Sequence, residues 1–130
     1  MSDRRPDRVY GILVRDEQVF LAHHGGGLAL PGGDFRPLAE DRKVELKAHL
    51  FDQLGIEASA IWAQGGFMYQ RPGEQDQHFA GFYSVWEWEG DIPIDKGRWV
   101  TEAELMGVNV PPSLRILLVS ILNTKALRTR

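Results

Sequence analysis

The sequence predicts an α/β fold of the α+β kind, in which a sheet takes up most of the chain and two long helices pack on it. Three observations carry that expectation. Arg8 to Arg15 is almost continuously apolar and rich in β-branched residues, as a strand covered on both faces should be. Residues 41–54 place apolar side chains at helical spacings and stop at Gly55, where a left-handed cap costs least. Leu114 to Leu127, after the break at Pro111-Pro112-Ser113, is a second amphipathic helix rich in Leu, Ile and Val.

The elements follow in order. Asp16-Glu17-Gln18 turns the first strand into a second, Val19 to His24, which the flexible Gly25-Gly26-Gly27 ends. Side chains alternate across a strand, so His23 and His24 are expected on opposite faces and do not converge on one metal. Leu28-Ala29-Leu30 is a short strand that delivers Pro31-Gly32-Gly33 into a loop, expected beside the N-terminal end of the helix at 41–54. In that helix Val44, Leu46, Leu50, Phe51 and Leu54 are the packing positions. Ile56 to Gln70 reads as one or two strands with a bulge at Gly65-Gly66, and Arg71 to Gln77 as a polar hairpin loop. His78 to Glu89 is the longest strand, and its end is expected to put Trp86 and Trp88 on one face and Glu87 and Glu89 on the other. Arg98-Trp99-Val100 is a last strand, after which Thr101 and Glu104 form a capping box for a one-turn helix.

At 130 residues the chain is one domain's worth, residues 1–130, with a core over 8–122 and short charged termini. It has no cysteine, which excludes a disulfide framework and a thiolate metal site. The longest apolar run, Ile116 to Leu122, is too short to span a bilayer, and charged Met1 to Arg8 is unlike a signal peptide. A cytoplasmic protein without membrane attachment is therefore expected. A formal charge of -3, with acids and bases mixed along the chain, points to no nucleic-acid polymer as partner. Four tryptophans, six phenylalanines and three tyrosines supply the core and leave rings on which a base can stack. A homodimer is left open.

The stretch from Leu30-Pro31-Gly32-Gly33 through Glu40 to Gly55-Ile56 resembles the signature of the Nudix hydrolases. That signature reads Gly, five residues, Glu, seven residues, Arg-Glu-apolar-x-Glu-Glu-x-Gly-apolar. Aligned backwards from Gly55-Ile56, Glu40 falls on the first Glu and Leu50 on the apolar helix position. Ala48 stands in place of the Arg, and His49, Asp52 and Gln53 in place of the three helix glutamates. Counted from Gly33 the loop is one residue longer than the pattern, so Asp34 takes the register of the signature glycine. The box is degenerate in its chemistry and intact in its frame.

The resemblance implies a Nudix-like α/β/α sandwich with a mixed sheet, and a small-molecule ligand, a nucleoside diphosphate derivative. It implies substrate-binding positions at Gly32, Gly33 and Glu40, and catalytic positions at Asp52, His49 and Gln53. In the family the helix glutamates and a loop carbonyl hold Mg²⁺ or Mn²⁺ against the pyrophosphate. Here the corresponding metal positions are Asp52 and, one turn before His49 on the same face, Glu45. So few carboxylates make binding of Mg²⁺ or Mn²⁺ weak, and a softer ion such as Mn²⁺ or Zn²⁺ tolerates His49 better. Glu87 and Glu89 are reserve carboxylates on a neighbouring strand. Two functions follow. One is a nucleotide-derivative-binding protein with weak or absent pyrophosphohydrolase activity; the other is an active metal-dependent pyrophosphohydrolase with a rearranged ligand set. Against both stands the plainer alternative that the polar face of the helix is merely solvated.

Overall fold

The structure, a computed structural model, describes residues 7–35 and 41–128. Glu40 lies outside the described residues. Seven strands form one mixed sheet: β1 (Arg8–Arg15), β2 (Gln18–His24), β3 (Gly27–Ala29), β4 (Gly32–Asp34), β5 (Glu57–Tyr69), β6 (His78–Glu89) and β7 (Gly97–Thr101). The main path runs β3-β2-β1-β6-β5, with β4 paired to β1 and β7 to β2. Only β1 and β6 run parallel. The first strand is the hub: β6 follows one edge from Arg8 to Leu13, while the other edge is shared between β4 at Arg8–Tyr10 and β2 at Val14–Arg15. The opposite edge of β1 thus changes partner between Tyr10 and Val14.

Helix α1 (Arg42–Leu54) covers one face of the sheet and α3 (Pro112–Arg128) the other, giving the α/β/α sandwich. The single turn α2 (Glu102–Leu105) precedes α3. Along β1 the alternation is regular. Val9 and Leu13 join the core under α1, and Tyr10, Ile12 and Val14 join the core under α3. Leu46, Leu50 and Leu54 are the inward row of α1, each worth about 1.5–3 kcal/mol of burial.

The ends of α1 follow from their residues. Asp41 is the N-cap, its carboxylate accepting from the Lys43 and Val44 amides, and Gly55 closes the helix in the left-handed region with φ 71°. The capping box of Thr101 and Glu104 starts α2 as expected.

Several expectations are corrected. Val44 and Phe51, counted as packing positions, are 61% and 57% exposed; they lie on the outer side of α1, since three leucines suffice to fill the inner row. Gly32 and Gly33 are a strand, not a loop, because β1 supplies them with backbone partners at Tyr10 and Val9. Of the one or two strands expected over 56–70 there is one, Glu57–Tyr69, and its irregularity falls at the expected glycines, between Ala63 and Gly65. Trp86 and Trp88 pack on opposite faces of the sheet. Ala60 has φ 49°, which breaks the alternation of β5, so Ala58 and Ile61 both face α1 and carry their partners Trp88 and Val85 with them. Pro112 does not stop α3 but begins it, where its missing N–H costs nothing. A 3-10 turn at Ile94–Lys96, not anticipated from the sequence, precedes β7.

Candidate functional site

The site is built where β4 is pressed between β1 and the end of α1. Gly32 has φ 143°, and a Cβ there would sit 2.1 Å from the Val9 carbonyl oxygen, so only glycine allows this approach. The buried backbone groups of Gly32 that turn away from β1 are met by Gln53 from the last turn of α1. The Gly32 N–H donates to Gln53 Oε1 at 3.1 Å, and Gln53 Nε2 donates to the Gly32 carbonyl at 2.7 Å. One side-chain amide therefore mimics a strand partner. One turn earlier, His49 Nε2 lies 2.7 Å from the Asp34 carbonyl; a carbonyl only accepts, so Nε2 is the protonated nitrogen. These contacts put β4 beside the C-terminal half of α1. The expectation of the N-terminal end fails because β4 runs so that Gly32 meets Gln53 and Asp34 meets His49.

A cleft of about 520 Å³ opens here. Gly32, Gly33, His49, Asp52 and Gln53 all line it, so five of the positions singled out from the sequence converge. Glu45 is buried and does not line it. Glu87 and Glu89 do not line it either; they lie at the end of β6, opposite Ser59 and Glu57. Both histidines of the His23-His24 pair border the cleft, His24 half-buried and His23 exposed.

The donor set suits a hard dication poorly. Such an ion takes several oxygens, preferably carboxylates. The Gly32 and Asp34 carbonyls already accept short hydrogen bonds, the Asp34 carboxylate is 2.8 Å from Arg8 Nε, and Asp52 is the single helix carboxylate on the cleft. Among the described residues no group of three or more His, Asp or Glu is placed to hold a metal ion.

The rest of the wall was not evident in the sequence. Arg71 and Lys96 line the cleft. Glu74 accepts from Arg8 NH1 at 2.9 Å and from Arg71 NH2 at 3.0 Å, and Arg8 NH1 also reaches the Tyr10 hydroxyl at 3.3 Å. Burial alone would push the Glu74 carboxyl up, but the hydrogen bonds from Arg8 and Arg71 outweigh it and hold it below the usual carboxylate range. Burial, helped by the charge of Arg71, depresses the His24 imidazole below its ordinary value and favours its neutral form. Burial and then the neighbouring Tyr10 push the Tyr69 phenol well up, so it stays a neutral hydroxyl under the cleft. The Pro72-Gly73 dipeptide is the one local signal that could have paired Arg71 with Glu74; Arg8 to Glu74 spans 66 positions and has none.

Neither a protein-family model nor a curated protein sequence matches the chain. Solved structures do. The MutT protein of Bacillus halodurans matches with TM-score 0.70 at 18% identity, over 88% of this chain and 80% of its own. A MutT Nudix hydrolase of Burkholderia pseudomallei matches with TM-score 0.71 at 18% identity, over 89% and 97%. A structure from work on MutT of Aliivibrio salmonicida and Vibrio cholerae matches with TM-score 0.70 at 21% identity, over 93% and 99%. Joined to the mixed sheet, the two covering helices and the β4–α1 contact, these likenesses show that the chain has the Nudix fold.

Proposed function

We propose that this protein binds a nucleoside diphosphate derivative in the cleft between β4, α1 and the Arg71 turn, with weak or no pyrophosphohydrolase activity. The observation that carries this reading is the Gln53 amide closed on both backbone groups of Gly32. A carboxylate in that place would offer a dication an anionic oxygen beside the Gly32 carbonyl; the amide instead sets an N–H donor against that carbonyl and brings no charge. His49 does the same to the Asp34 carbonyl. Asp52 is then left as the metal position, and Mg²⁺ or Mn²⁺ binds there in the millimolar range or more weakly. Without a well-held dication the phosphoryl group loses the charge neutralisation its transfer needs, which costs orders of magnitude in rate. Gly33 and Glu40 complete the substrate side of the proposal.

The test is calorimetry with a panel of nucleoside diphosphate derivatives, run once in EDTA and once in Mg²⁺. Binding in both buffers with similar affinity is the expected result. Binding that appears only with Mg²⁺ and disappears in Asp52→Ala would favour the alternative, an active hydrolase with a rearranged ligand set.

A further inference from the structure

The proposed function leaves open what holds the negative charge of the ligand, and the answer lies in the turn that follows β5. Arg71-Pro72-Gly73-Glu74 is a tight turn: the Glu74 N–H donates to the Arg71 carbonyl at 3.1 Å, Pro72 takes the second position and Gly73 the third, with φ 86°. This type II geometry folds Glu74 back onto its own Arg71. Glu74 is also the partner of Arg8, so one carboxylate serves two guanidiniums. Arg8 has a second carboxylate, Asp34, at 2.8 Å, and is thereby neutralised. Arg71 has none.

The donors of Arg71 are under-used as well. Among the described residues its buried Nε has no acceptor, and its NH1 finds only the Gly32 carbonyl at 3.5 Å, an oxygen Gln53 already contacts at 2.7 Å. A guanidinium carries five N–H donors in a rigid fork suited to two oxygens at once. This one is set in place by Glu74 and by the Tyr10 ring, 5.7 Å from its carbon, and lines the cleft. Lys96, on the exposed 3-10 turn, is a second cation on the cleft, with no carboxylate partner among the described residues.

We infer that Arg71 and Lys96 form a metal-independent anion site that takes the diphosphate of the ligand directly, with Glu74 as the counter-ion that holds Arg71 ready. The inference rests on the proposed ligand class, but concerns which groups carry its charge. The cation that a degenerate box no longer recruits is supplied by side chains. A pocket of a few hundred Å³ has the size to enclose a nucleotide-sized molecule around such a site.

The experiment is calorimetry with inorganic pyrophosphate in EDTA, on the wild type, Arg71→Met, Lys96→Met and, as a control, Arg98→Met, whose side chain points to Glu104 and does not line the cleft. Wild type and Arg98→Met should bind alike, and each cleft variant should bind at least tenfold more weakly. Raised salt should weaken the wild type and narrow the gap. Thermal melting checks that Arg71→Met remains folded; if it does not, Lys96→Met decides alone, since its exposed turn contributes little to the core. Pyrophosphate binding that requires Mg²⁺, or that all variants share, overturns the inference. Failure here is separable from failure of the proposed function: Mg²⁺-dependent turnover would sink the latter without touching a result read in EDTA.

Discussion

Replacing Gln53 by Glu changes one atom of the contact that organises the site. In the wild type Nε2 is a donor 2.7 Å from the Gly32 carbonyl; in Gln53→Glu the same position is an anionic oxygen facing a carbonyl oxygen. The bond from the Gly32 N–H at 3.1 Å survives and is strengthened by charge, while the other is lost and replaced by repulsion. Losing the short hydrogen bond to a buried acceptor that keeps only the 3.5 Å contact from Arg71 costs about 1–3 kcal/mol, and the gain at the N–H offsets part of it. A net loss of about 1–2 kcal/mol is expected, which in a domain of this length lowers Tm by roughly 3–8 °C. The assay is urea unfolding in EDTA and in 10 mM Mn²⁺ or Mg²⁺. The variant should recover stability in the dication, since an ion that binds only the folded form stabilises it by mass action, whereas the wild type, which holds the ion weakly at Asp52, should gain clearly less. A variant as stable as wild type in EDTA would refute the claim that the amide holds β4 to α1.

Other substitutions separate packing from exposure and charge. Leu50→Ala should cost about 2–5 kcal/mol, because Leu50 is fully buried under β1, while Phe51→Ala, beside it on the outer face, should cost less than about 1 kcal/mol; denaturant midpoints of the pair check this. Glu74→Gln should cost about 1–3 kcal/mol at neutral pH. Because the Glu74 carboxyl is held below its ordinary range in the folded state, its contribution is complete above that range and is lost as pH falls through its depressed value. The stability gap between wild type and Glu74→Gln, followed by urea unfolding from neutral to acid pH, should be flat and then close in acid; a gap that closes between pH 8 and 6 would contradict the assignment.

How far the sequence carried depends on the range of the interaction. Helix α1 and its caps at Asp41 and Gly55 were legible because capping is local chemistry. So were β1, β6 and the capping box at Thr101. The outward turn of Val44 and Phe51 was not, since a helical period marks which residues share a face and not how wide a face the sheet covers. Gly32-Gly33 carries no strand propensity, and its strand exists only because β1 pairs with it. The aligned box named His49, Asp52 and Gln53, which line one cleft, yet what two of them do there depends on carbonyls 15 and 21 positions away. Arg71 passed for a loop charge because, beyond its neighbour Glu74, the groups that tie it to the cleft, Gly32 directly and Arg8 through Glu74, are remote in the chain.

The central claim is that the cleft keeps its ligand-binding shape without the charge needed for phosphoryl transfer. The most direct measurement is ³¹P NMR of a nucleoside diphosphate derivative panel incubated with the unmodified protein in Mg²⁺ and in Mn²⁺. The spectra should stay those of the intact compounds, with product formation no faster than in buffer. Rapid release of phosphate products that depends on the dication and is abolished by Asp52→Ala would contradict it.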